Sequence, residues 1–175
     1  MPTNKYIALI GNKLKEVFAQ ATSSGVADAD KLVALDSTGK LNISLFPAGI
    51  AAEVVVAITS ENLLAGDFVN LYLNGGVATL RKADATTNTK PAYGFVIASS
   101  TSPAVNTMYI NGVNNAYMAG LTIGTKYVLS KALPGGVTDI ATFVGVAGNI
   151  VQELGISTTV TNILTVQNQN YVEVG

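Results

Sequence analysis

Phe68-Val-Asn-Leu-Tyr-Leu-Asn-Gly-Gly-Val-Ala-Thr-Leu-Arg-Lys82 is the stretch that decides the fold class. Two β-prone runs, Phe68–Leu73 and Val77–Lys82, flank Asn74-Gly75-Gly76, and Asn-Gly between such runs is the strongest short-range hairpin signal. Working outward, similar runs recur at Glu53–Thr59, Tyr93–Ser99, Val105–Ile110, Lys126–Leu129, Thr142–Val146, Ile150–Leu154 and Thr159–Val166. The connections are rich in turn residues, as at Asn111-Gly112, at Leu133-Pro134-Gly135-Gly136 and from Gly145 to Asn149. Many short strands with Gly-rich turns predict a compact antiparallel β-barrel or β-sandwich over residues 51–175. No fixed-period repeat is present, which argues against a propeller or solenoid.

Residues 1–50 read differently. Ile7, Ile10, Leu14, Val17 and Ala21 are spaced by alternating steps of three and four, and Phe18 widens the stripe. This period predicts an amphipathic helix over about Thr3–Ala21, capped by Thr3 or Asn4, with Gly11 a cost in mid-helix. The stripe packs either on the protein's own domain or against copies of itself as a short seam. A small polar connector, Thr22–Asp30, leads to a hairpin arm. Lys31–Leu35 and Lys40–Leu45 flank Asp36-Ser37-Thr38-Gly39, which suits a type I turn. Leu41, Ile43 and Leu45 alternate with polar residues as a half-buried strand does, and Phe46-Pro47-Ala48-Gly49 ends the arm. Overall the expectation is mainly β, with an N-terminal helix and extended hairpin arm (1–50) before the β-domain (51–175). A two-stranded hairpin is not stable alone, so Ile7, Ile10, Leu14, Val17, Phe18, Leu41, Ile43, Leu45 and Phe46 are the candidate interface residues.

Composition narrows the function. The chain has 175 residues, 49% hydrophobic and only 12% charged, about half the usual charge of a soluble domain. Its mean hydropathy is +0.39. Ten Lys and Arg against eleven Asp and Glu leave a net charge of −1, which argues against a nucleic-acid partner held through a basic surface. The longest uncharged stretch, between Lys90 and Lys126, is interrupted throughout by Ser, Asn, Thr, Gly and Pro. It therefore fails as a membrane span, which needs about 20 predominantly apolar residues. The N-terminus has no apolar core long enough for a signal peptide, so the expectation is a soluble, unprocessed chain without a membrane partner.

The sequence contains no Cys, no His and no Trp. Thiolate chemistry, disulfides, Ser/His/Asp triads and Cys- or His-based metal sites are thereby excluded. Asp28 and Asp30 open like a calcium loop, but Lys31-Leu32-Val33-Ala34 follows where further ligands belong. They read better as solvated connector carboxylates. Asp67, Arg81, Lys82 and Asp84 form either a charged cluster or ordinary ion pairs, the latter being commonplace. Tyr72, Tyr93, Tyr109, Tyr117 and Tyr127 either line a carbohydrate groove or are half-buried strand residues, as β-propensity favours. A carboxylate glycan hydrolase needs two acids facing across a cleft, and Asp67, Asp84, Asp139 and Glu153 are the few available. The expectation is no enzyme, no catalytic residue, no cofactor and no metal.

Several stretches resemble virion proteins of tailed bacteriophages. Ser24-Gly-Val-Ala-Asp-Ala-Asp-Lys-Leu-Val-Ala-Leu-Asp-Ser-Thr-Gly-Lys-Leu-Asn-Ile-Ser-Leu-Phe-Pro47 is similar to a linker-hairpin of that class. Asn62–Tyr72, Leu80–Ala85, Lys90–Val96, Gly120–Ser130 and Gln152–Gly155 are similar to its small β-domains. These are turn and strand motifs, so they point to a structural class. The resemblance implies a capsid decoration (cement) protein at the capsid surface of the virion, made in the host cytoplasm. It would bind the assembled major capsid protein as a homotrimer and stabilise the shell. The alternative is a head or tail fibre or receptor-binding protein, with a virion-attaching N-terminus and a β-domain that binds a surface glycan.

Overall fold

Gly11 and Asn12 both adopt positive φ, +58° and +59°, and they turn the chain back on itself between strands β1 (Lys5–Ile10) and β2 (Lys13–Phe18). The two strands pair antiparallel with Ile10 opposite Lys13, Leu9 opposite Leu14 and Lys5 opposite Phe18. Two central residues at positive φ are the signature of the type I′ hairpin turn, whose twist matches that of the flanking strands. The expected N-terminal helix is therefore absent. The computed structural model describes residues 5–46, 53–116, 119–165 and 170–175 and the backbone but not the side chain of Ile43, and these contain only short 3-10 turns and no α-helix. The candidate caps Thr3 and Asn4 lie outside the described residues.

The expected hairpin arm is also corrected, although its turn is present. Gly39 N–H donates to Asp36 O at 3.0 Å, as in a four-residue turn. Asp36 Oδ1 accepts from Thr38 N–H (2.8 Å), Thr38 Oγ1 (2.6 Å) and Lys40 N–H (3.0 Å). The flanks do not pair as strands. Ile43–Leu45 forms a 3-10 turn, because Asn42 Oδ1 takes the Ser44 N–H at 3.0 Å and Asn42 O takes the Leu45 N–H at 3.1 Å. A short polar side chain has here outcompeted the extended backbone. The other flank runs beside Gln20, whose N–H donates to Leu32 O and whose carbonyl accepts from Ala34 N–H, both at 2.8 Å.

The chain divides into two compact units, Met1–Ala51 and Ala52–Gly175. In the second, β3 (Val54–Thr59), β4 (Phe68–Asn74), β5 (Val77–Lys82), β6 (Gly94–Val96) and β7 (Val105–Tyr109) close a barrel in the order β3-β5-β4-β6-β7. Every pairing in it is antiparallel except β3 with β5. Next come β8 (Gly112–Asn114), β9 (Lys126–Leu129), β10 (Val137–Asp139), β11 (Ile150–Val151), β12 (Glu153–Ser157), β13 (Ile163–Thr165) and β14 (Val172–Glu173). A second sheet runs β10-β9-β12-β13-β8, all antiparallel, and β11 pairs with β14. No strand forms at the expected Thr142–Val146: a 3-10 turn, Ile140–Thr142, which Asp139 Oδ1 caps by accepting the Ala141 N–H at 2.8 Å, runs into an irregular stretch over 143–146.

Alternation along the barrel strands makes two cores. Val69, Leu80, Val96 and Met108 fill the barrel interior with Ala57 and Leu63. Phe68, Phe95 and Tyr109 point the other way and meet Tyr127, Leu129, Leu154 and Ile163 of the second sheet. Phe95 stacks on Tyr109 at 5.9 Å and tilts against Phe68 at 6.1 Å between ring centroids, separations at which ring pairs add to burial.

Candidate interaction surfaces

The hairpin β1–β2 has two faces that differ in exposure and charge. In an antiparallel pair, opposed residues share a face. Lys5, Ile7, Leu9, Leu14, Glu16 and Phe18 therefore lie on one, and Tyr6, Ala8, Ile10, Lys13, Lys15 and Val17 on the other. On the first face Ile7 is 71% exposed, Leu9 69%, Leu14 75% and Phe18 52%. Its two charges satisfy each other. Lys5 forms an ion pair with Glu16, and its ammonium also lies 4.9 Å from the Phe18 ring centroid. On the second face Tyr6, Ala8 and Val17 are half-buried, and Tyr6 Oη accepts the Leu32 N–H at 3.4 Å. The chain's own arm thus reaches that side at Tyr6.

The candidate interface residues thus do not form one stripe. The hairpin separates Ile7, Leu14 and Phe18 from Ile10 and Val17. Leu41 and Phe46 are exposed on the arm, Leu45 is half-buried, and the side chain of Ile43 lies outside the described residues. Sequence reasoning missed Leu9, because a helical reading puts it off the stripe, and it missed Val26, which is exposed in the connector. Among the described side chains from residue 5 to 46, not one is buried.

The connector and arm are held by two carboxylates. Asp28 is held below the usual aspartate range chiefly by its hydrogen bond from Lys31 Nζ (2.8 Å), then by the Ser24 N–H (2.6 Å). Asp36 is lowered chiefly by the Thr38 hydroxyl, then by the Lys40 and Thr38 amides. Carboxylates lowered on folding contribute stability above their ordinary value and lose it as pH falls toward the lowered one. Below about pH 4 the 22–46 segment should therefore loosen while the barrel persists. Limited proteolysis with an acid protease checks this: cleavage at pH 3 should concentrate before residue 47, and cleavage that begins in the barrel contradicts it.

The barrel unit disperses the other candidates. Lys82 Nζ pairs with Asp67 Oδ2 at 3.1 Å, and Asp67 Oδ2 also accepts the Leu64 N–H at 2.8 Å. Arg81 points elsewhere, donating to Asn70 Oδ1 (2.9 Å) and Thr89 O (2.7 Å) and covering the Tyr72 ring at 4.1 Å. Asp84 accepts from Thr86 N–H and Oγ1 at 2.9 and 2.8 Å, and Glu153 pairs with Lys126 at 3.1 Å. A hollow of about 710 Å³ is lined by Leu64, Asp67, Lys82, Leu121, Tyr127 and Val137 among others. Asp67 is the one of the four candidate acids on its wall. Among the described residues no group of three acidic side chains is placed to hold a metal ion, and no helix is long and apolar enough to cross a membrane.

Of the five candidate tyrosines, Tyr93, Tyr109 and Tyr127 serve packing, and Tyr72 lies under the Arg81 guanidinium. Tyr127 is buried and accepts the Thr122 N–H at 2.9 Å, Tyr93 and Tyr109 pack on the two cores, and Tyr117 lies outside the described residues. No protein-family model matches this chain, and no curated protein matches it. Among solved structures it is similar to the head fibre gp8.5 N base of bacteriophage phi29. That match is 15% identical, covers 71% of this chain and 100% of the other, and has a TM-score of 0.44.

Proposed function

We propose that this is a structural protein of a tailed-phage virion, a capsid decoration protein that binds assembled major capsid protein as a homotrimer and stabilises the shell. One observation carries the reading: the N-terminal unit has no buried side chain among those described, yet exposes large apolar groups along both hairpin and arm. Such a unit gains its stability by covering that surface with another molecule. The phage-like motif from Ser24 to Pro47 lies in this unit, and the β-domain has a complete core of its own. In this reading the arm residues Leu41, Leu45 and Phe46 lie against the shell.

Purified protein added to shells lacking it tests the proposal. Restored shells should survive heating that disrupts bare ones, with copies bound all over the surface. The double substitution Leu41→Ser/Phe46→Ser should weaken binding on the order of tenfold or more, as expected for interface anchors. Unchanged shell stability and no binding sink the reading. A few copies bound at a single vertex would turn it to a fibre base.

A further inference from the structure

We infer that the face of the β1–β2 hairpin formed by Ile7, Leu9, Leu14 and Phe18 is where copies of this chain meet. The inference deepens the homo-oligomer part of the proposed function and is independent of shell binding. Charge decides between the occupants. This face has four exposed apolar side chains, and its single cation and single anion already neutralise each other. A copy laid on it meets the same apolar surface and the same closed pair, with no charge left to repel or to desolvate unpaired. The opposite face has Lys13 and Lys15 with no acid among its six residues, so self-contact there sets lysine against lysine. An acidic or basic partner gains nothing from the first face, because no free charge on it answers one.

Folding points the same way. A lone two-stranded hairpin is marginal in water, whereas sheets packed face to face bury a core between them. On the opposite face Tyr6, Ala8 and Val17 are already half-buried, and the chain's own arm reaches Tyr6 through the Leu32 N–H. The first face has no such cover among the described residues.

The test is the solution mass of the full chain by light scattering or sedimentation. Wild type should run as an oligomer of the 18.0 kDa chain. Leu9→Glu/Leu14→Glu should move it to the single-chain mass, with a circular dichroism melt of the barrel unchanged. Lys13→Glu/Lys15→Glu, on the other face, should keep the oligomer. A monomeric wild type at tens of micromolar overturns the inference, and so does an oligomer indifferent to the two glutamates. An oligomer that dissociates as expected but never binds shells leaves this inference standing and removes the shell-binding reading.

Discussion

Gly94→Ala should lower the stability of the barrel unit by about 3 kcal/mol, and Gly94→Val should leave the barrel unable to close. Gly94 opens β6 opposite Val69, on the face that looks into the barrel. A Cβ there would stand 2.6 Å from Met108 Cγ and run into the backbone carbonyl oxygen of Tyr109. The methionine can swing aside, but the carbonyl belongs to β7, which pairs with β6 on one side and β3 on the other. Relief therefore requires two barrel seams to part. Overpacking of a well-filled core costs about 1–3 kcal/mol, and an immovable backbone obstacle places this site at the top of that range. A thermal melt followed by circular dichroism should show a fall of about 10 °C for the alanine variant. A control separates the two obstacles. If the carbonyl dominates, Gly94→Ala should cost nearly as much in a Met108→Ala background as alone. Full rescue by Met108→Ala, or a shift of only a degree or two, contradicts the argument.

What the sequence disclosed of this architecture follows a physical division. The barrel strands β3, β4, β5, β6 and β7 and the strand β9 were each legible, because β-branched and aromatic runs bounded by Gly-rich turns admit few other readings. The N-terminal segment was misread because its apolar residues satisfy two periodicities at once. Ile7, Ile10, Leu14 and Val17 fit a helix, yet mirroring the chain about Gly11-Asn12 sets Leu9 against Leu14 and Tyr6 against Val17. The deciding signal was the Gly-Asn dipeptide itself, a two-residue hairpin turn, which a helical reading counts as a mere propensity cost. The arm failed for another reason. Alternation at Leu41, Ile43 and Leu45 describes a strand, but the side-chain oxygen of Asn42 closes a local turn, and no hydrophobic pattern reports that competition. At the start of the strand expected over Thr142–Val146, Asp139 likewise caps a 3-10 turn that ends at Thr142. Of the candidate surface, the apolar residues were legible and their grouping was not. Which of them share a face depends on period two or period 3.6, and that choice was the one the turn decided.

Gln152→Leu should cost about 4 kcal/mol, although leucine nearly conserves the volume. Gln152 is fully buried between β11 and β12. Its Oε1 accepts the Ala92 N–H at 2.7 Å, and its Nε2 donates to Ala92 O at 2.8 Å. The side chain thus imitates the edge of a neighbouring strand, holding the buried loop before β6 to the segment between β11 and β12. Leucine would leave a donor and an acceptor of the main chain dry and unpaired, each at about 1–3 kcal/mol. Gln152→Glu distinguishes this pairing from simple packing. Its carboxylate still accepts from the Ala92 amide, but the second oxygen faces the Ala92 carbonyl and repels it. Protonation restores a donor. Burial raises the pKa of the new carboxyl above the ordinary glutamate value, so its folded state favours the protonated form and loses stability as pH rises through that raised value. Urea unfolding at pH 5 and at pH 7.5 should therefore show Gln152→Glu losing stability between the two, while wild type changes little, since Asp28 and Asp36 stay ionised at both. A variant whose deficit is the same at the two pH values, or a Gln152→Leu protein within 1 kcal/mol of wild type, would show that the amide pairing does not hold these segments together.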